Sequence, residues 1–152
     1  MSIDNGKKAK SGWVIYVDEQ FPRLGFVTLY VGINIVRISV VGETTGDTEL
    51  IFSPEQTKHI KKALEWAIYL LKKGINEPVK IVATVFSGKF QNENDGSGAL
   101  IVQVLDKGVI QLVEAEIDDT NGWLYINIEM AEKIIARLDE AIAMIADEQK
   151  QI

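Results

Sequence analysis

Residues 34–74 read NIVRISVVGETTGDTELIFSPEQTKHIKKALEWAIYLLKKG, and this stretch decides the fold. Val36, Ile38 and Val40 alternate with Ile35, Arg37 and Ser39, the period of two expected of a strand with one apolar face. GETTGD at 42–47 supplies turn residues, and DTELIF at 47–52 resumes an extended pattern. From Ser53 the period becomes helical, with Ile60, Ala63, Leu64, Ala67, Ile68 and Leu71 on one stripe. Ser53 is the expected N-cap, Pro54 suits the first helical position, and Gln56 closes a capping box. Lys72 and Lys73 complement the negative end of the helix, and Gly74 is its left-handed stop.

Upstream, WVIYV at 13–17, GFVTLYV at 25–31 and INIVRISVV at 33–41 read as strands, followed by DTELIF. Downstream the same order returns. VKIVATVF at 79–86, GALIVQV at 98–104, VIQLVEAEI at 109–117 and GWLYIN at 122–127 precede a second helical pattern, NIEMAEKIIARLDEAIAMIADE. Its stripe is Ile134, Leu138, Ala141, Ile142 and Ile145, with Asn127 as N-cap. A shift of 74 residues superposes Ser53 on Asn127, Ile60 on Ile134, Leu64 on Leu138 and Leu71 on Ile145. The expected plan is α+β: tandem ββββα repeats, giving two curved antiparallel four-stranded sheets packed against two long helices. Residues 1–12 form a flexible basic tail, 13–74 the first repeat and 75–152 the second, the two repeats making one compact domain.

Composition narrows the function classes. The 152 residues include no cysteine and one histidine, His59, which removes disulfides, thiolate nucleophiles and multi-histidine metal cages. No GxSxG turn marks a serine nucleophile. Glu114, Glu116, Asp118 and Asp119 cluster in sequence but lack the spacing of a calcium loop, so they read as a solvated strand end and turn. The chain is expected to be non-enzymatic, with no cofactor and no metal. It lacks a secretory h-region and an apolar run of membrane-spanning length, so a soluble cytoplasmic protein is expected.

The net charge of −6 argues against a strongly electropositive nucleic-acid binder. The charge is uneven, however. Residues 1–12 carry +2, residues 13–74 are neutral, and residues 75–152 carry −8. An anion-binding surface therefore belongs on the first half or the tail, where Lys7, Lys8 and Lys10 could extend a phosphate contact or simply aid solubility.

The aliphatic strand faces should take the helices. The opposite faces then present Phe26, Tyr30 and Arg37 in the first half, and Trp123 and Tyr125 in the second. The third strand of the second half loses its alternation near Glu114 and Glu116, where a bulge or early end is expected. Two uses of such faces stand open. Nucleobases stack on aromatic rings for roughly 1–3 kcal/mol each, and interfaces between repeats or subunits also enrich aromatics and arginine. Trp66 and Leu70 lie on the flank of the first helical stripe and suggest a contact with another helix or subunit.

The tandem ββββα plan resembles the Whirly and PUR-repeat single-stranded nucleic-acid-binding proteins. Its 34–74 stretch is similar to the ββββα unit of the transcriptional coactivator in the same group. The resemblance implies binding of single-stranded DNA or RNA by base stacking and scattered basic residues, commonly in a dimer or larger homo-oligomer. The positions it implies are Phe26, Tyr30, Arg37, Trp123 and Tyr125, with Trp13 and Lys80 also possible. Hairpins of that group meet nucleic acid as well, which adds Lys89 and Phe90 from SGKFQNENDGSG at 87–98. The acidity of the second half departs from the group's basic strand surface. An acidic protein-interaction or inhibitor module on the same scaffold is the alternative.

Overall fold

Ser53 opens the first helix as the sequence predicts. Its Oγ accepts the Gln56 N–H at 3.1 Å, and Gln56 Oε1 accepts the Ser53 N–H at 2.8 Å. This reciprocal box satisfies two donors that a helix start leaves unpaired. In the computed structural model, which describes residues 12–42, 49–87, 98–116 and 119–150, the helix α1 spans Pro54–Lys73. Asn127 Oδ1 accepts the Met130 N–H at 2.9 Å and starts α2, Ile128–Lys150.

The fold is α+β, with two four-stranded antiparallel sheets and two helices. The first sheet has the order β1 (Gly12–Tyr16), β2 (Phe26–Gly32), β3 (Ile35–Val41), β4 (Leu50–Phe52). The second has the order β5 (Val79–Phe86), β6 (Gly98–Leu105), β7 (Val109–Glu116), β8 (Asp119–Ile126). A short 3-10 turn at Pro22–Leu24 leads into β2. Every sheet neighbour is also a sequence neighbour, so hairpin closure alone builds both sheets.

Each helix packs more on the other half's sheet than on the sheet that precedes it. α1 packs chiefly on β5 and β6, whereas α2 packs on β1 and β2, and the helices touch each other. Three contacts record this exchange. Gln56 Nε2 donates to the Phe86 carbonyl at 2.6 Å, tying the start of α1 to the end of β5. Gln149 Nε2 donates to Asn34 Oδ1 at 2.8 Å, tying the end of α2 to the β2–β3 turn. The Arg137 guanidinium of α2 stands over the Trp13 ring of β1 at 5.9 Å. Each half therefore lends its helix to the other, and the buried residues of both halves form one apolar cluster.

Backbone approaches hold the two halves in register. Gly25 has φ +124°, a region that L side chains rarely adopt. A β-carbon there would meet the Leu124 side chain of β8 and lie 2.6 Å from the Val41 carbonyl oxygen. Gly25 thus lets the entry to β2 pass directly against the second sheet.

Several sequence expectations are corrected. β8 begins at Asp119, three residues early, because a register irregularity between Glu114 and Ala115 re-pairs Ala115 with Thr120. That irregularity lies where the broken alternation placed it. Glu114 itself is fully buried, not solvated. It keeps phase with Ile110 and Leu112 on the core side, opposite Leu100 and Gly122. Leu70 also belongs to the core, at 7% exposure. The helical stripe rotates through Ile60, Ala63, Ala67 and Leu70, leaving Leu71 and Ile68 at its margin.

Candidate functional site

Register fixes which side chains share the outer face of the first sheet. Tyr16 pairs with Phe26, and Phe26 with Val41. Val14 pairs with Thr28, and Thr28 with Ser39. Gly12 pairs with Tyr30, Tyr30 with Arg37, and Arg37 with Ile51. The first and third of these rows are aromatic, and four residues separate Phe26 from Tyr30, about 13 Å along a strand. Among the described residues of β1–β4 themselves, this face carries Arg37 and no acidic side chain, and Glu49, just before β4, continues the phase of Ile51.

The rings are held by local packing. Tyr16 and Phe26 meet at 5.5 Å between centroids with planes 59° apart, a tilted aromatic pair. Tyr30 leans across β1 over Gly12, where a β-carbon would lie 2.6 Å from its Cδ1. Tyr16, Phe26, Tyr30 and Arg37 are all half-buried: their rims reach solvent while neighbours fix their orientation. Beside Phe26 lies a depression of about 500 Å³ lined by Pro22, Arg23, Gly25, Val41 and Gly42. Arg23 is exposed there and adds a second cation. The sequence reading missed Arg23; its signal was a lone arginine in the FPRLG turn that precedes Phe26.

Trp123 and Tyr125 stand on the outer face of the other sheet. Trp123 is 40% exposed and Tyr125 51% exposed. Their cross-strand neighbours are Val113 and Gln111 of β7, which in turn pair with Ile101 and Gln103 of β6. Gln103 Nε2 donates to Gln111 Oε1 at 2.6 Å in the middle of this face. Along β5 the face continues through Val79, Ile81 and Phe86, all exposed.

The remaining expected positions divide. Trp13 is fully buried, opposite Leu29 on the helix side of the first sheet, so it offers no ring to solvent. Lys80 pairs with Val104, whose side chain is in the core, and so lies on the helix side of β5. The reason is an irregularity between Ile81 and Ala83 that shifts the alternation of β5 by one residue. Lys80 Nζ lies 3.5 Å from Glu77 Oε1 at the sheet end. Trp66 is 52% exposed on α1 and stacks on Tyr69 at 4.9 Å, with Lys73 Nζ 5.8 Å from the Tyr69 centroid. Lys7, Lys8, Lys10, Lys89 and Phe90 lie outside the described residues.

The helix layer carries a perturbed titrating group. Lys61 Nζ of α1 lies 2.7 Å from Asp139 Oδ1 of α2. That hydrogen bond raises the Lys61 ammonium above its ordinary value of 10.5, with burial opposing the shift and the charges of Asp139 and Glu65 adding to it. His59 is exposed on the same helix. Among the described residues, no group of three or more histidine, aspartate or glutamate side chains is placed to hold a metal ion. Nor is any described helix long and apolar enough to cross a membrane. What the outer face of the first sheet offers is the rings of Tyr16, Phe26 and Tyr30 with Arg37, and Arg23 beside it. No family model, curated protein or solved structure matches this chain.

Proposed function

We propose that the protein is a non-enzymatic single-stranded nucleic-acid-binding protein whose binding surface is the outer face of β1–β4. The observation that carries this reading is the coincidence of Phe26, Tyr30 and Arg37 on one face of paired strands. Aromatic rings stack on any base, and the arginines meet phosphate. The strong acidity lies elsewhere, since residues 75–152 hold the net negative charge of the chain.

Two further readings support the proposal. The halves share one element order, one sheet order and a side-chain cap at the start of each helix. This fits duplication of a single ββββα unit. The same order is that of the Whirly and PUR-repeat proteins, whose strand faces hold single strands.

The test is fluorescence anisotropy with a labelled oligothymidine, with the matching duplex as control. The expected result is binding of the single strand that weakens as salt rises, with weaker binding of the duplex. No anisotropy change at tens of micromolar protein in low salt would overturn the proposal.

A further inference from the structure

The outer face of β5–β8 differs in kind from that of β1–β4. Val79, Ile81, Phe86, Trp123 and Tyr125 are all exposed on it, from 40% for Trp123 to 67% for Phe86. Ile101 and Val113 join them through the register of β6 and β7. Among the described residues of this face there is no charged side chain, although residues 75–152 carry −8. Soluble chains rarely expose a contiguous apolar patch of this extent without a partner for it.

We infer that this face is a two-fold interface that joins two copies of the chain. Three observations select a second copy. First, each copy carries −6, so two copies repel through most of their surface, and contact is favoured where charge is missing from both sides. The face supplies no charge that would select a basic or an acidic partner instead.

Second, the area suffices. Four strands at about 4.8 Å spacing and eight residues at about 3.3 Å rise give roughly 500 Å² of flat face per copy. Two copies together then bury about 1,000 Å², the floor for a specific interface, before side-chain relief is counted. The composition of rings and branched aliphatics is that of an interface core.

Third, the polar groups on the face are compatible with their own image. Gln103 and Gln111 form one amide pair near its middle. An amide carries both donor and acceptor, so the pair can meet its two-fold copy with hydrogen bonds satisfied on both sides. Gln103, Gln111, Trp123 and Tyr125 are thereby assigned to subunit contact, while Phe26, Tyr30 and Arg37 stand half-buried on the other sheet.

The experiment is analytical ultracentrifugation of the full chain across a wide concentration range, without nucleic acid. The expected species is a dimer of twice 16.9 kDa that neither falls to monomer at working micromolar concentrations nor grows to larger assemblies. Ile81→Lys and Tyr125→Lys each place like charges across the two-fold and should shift the dissociation midpoint at least tenfold upward. Both side chains are exposed, so far-ultraviolet circular dichroism and the melting temperature should stay near wild type. Trp66→Ala, on the helix layer, should leave the dimer intact. A wild type that stays monomeric at hundreds of micromolar overturns the inference. So does a dimer that both lysine variants preserve while Trp66→Ala abolishes it. A monomer whose oligothymidine binding is lost in Trp123→Ala also overturns it and makes this face a base-stacking surface. Because mass is measured without nucleic acid, failure here is separate from failure of strand binding on β1–β4.

Discussion

Tyr30 and Gly12 stand opposite each other on β2 and β1, and the ring of Tyr30 fills the space that a β-carbon on residue 12 would need. The gap is 2.6 Å to Cδ1 and 2.9 Å to Cε1, well inside contact distance. A glycine in a strand normally weakens it, and here it is covered by an aromatic side chain that it also positions. Gly12→Ala is therefore expected to push the Tyr30 ring off β1. The cost should be about 1–3 kcal/mol of stability, typical of overpacking. Urea denaturation reads the loss of stability, and weakened oligothymidine binding reads the displacement of the ring.

The two tryptophans Trp13 and Trp123 separate core from surface. Trp13 is fully buried beneath Arg137, and Trp123 is 40% exposed. Trp13→Ala should lose about 3–5 kcal/mol, the range for a large core side chain. Trp123→Ala at low protein concentration should lose less than about 1 kcal/mol. Parallel denaturation curves of the two variants check the difference.

Gln56 has two tasks. Its Oε1 closes the capping box with Ser53, while its Nε2 bonds the Phe86 carbonyl across the exchange of helices. Gln56→Ala should cost about 1–2 kcal/mol, the sum of a cap contact and a tertiary hydrogen bond. Gln56→Glu keeps the acceptor for Ser53 and loses the donor for Phe86. It should fall between the two, and a thermal melt of each protein decides.

The Lys61–Asp139 pair should show in alkaline solution. The ammonium of Lys61 is held above 10.5 when folded, so the folded state binds its proton more tightly than the unfolded chain does. Its contribution is complete below 10.5 and declines as pH rises through the higher folded value. Lys61→Met should therefore differ from wild type near neutral pH and converge with it in strong alkali. The pair is largely solvated, so added salt should shrink the difference as well.

Arg37 should register in salt dependence more than in affinity alone. Each phosphate neutralised on a single strand contributes a slope of about 0.7 in log affinity against log salt. Arg37→Gln is expected to lower the slope by about that amount, and Arg23→Gln to do the same if the depression beside Phe26 carries the strand. Titrations at several salt concentrations give the slopes.

Much of the architecture is legible from local sequence. The change from a period of two to 3.6 locates both helices, and Ser53 and Asn127 mark their starts because caps act within one turn. Gly, Asn and Asp between apolar runs mark the hairpins. Alternation tells which face of a strand is apolar, but it is silent on which helix covers that face. The exchange of α1 and α2 was therefore invisible, resting as it does on contacts between residues far apart, such as Gln56 with Phe86.

The errors at single residues have local causes. The irregularity after Ile81 slips the count along β5 and carries Lys80 to the helix side. Trp13 lies in a five-residue strand, too short for alternation to assign it a side, and only the resemblance made it a possible contact. Glu114 keeps the phase of Ile110 and Leu112, and charge alone suggested solvent. Phe26, Tyr30 and Arg37 were legible as a group, because three residues in one phase on paired strands must share a face.

The most direct measurement compares oligothymidine affinity for the wild type, Tyr30→Ala and Trp123→Ala at one low salt concentration. Loss of a stacked base is worth about 1–3 kcal/mol, so Tyr30→Ala should bind roughly 5- to 150-fold more weakly. Trp123→Ala, altered on the other sheet, should stay close to the wild type. Equal affinity for wild type and Tyr30→Ala, with the loss confined to Trp123→Ala, would contradict a binding surface on β1–β4.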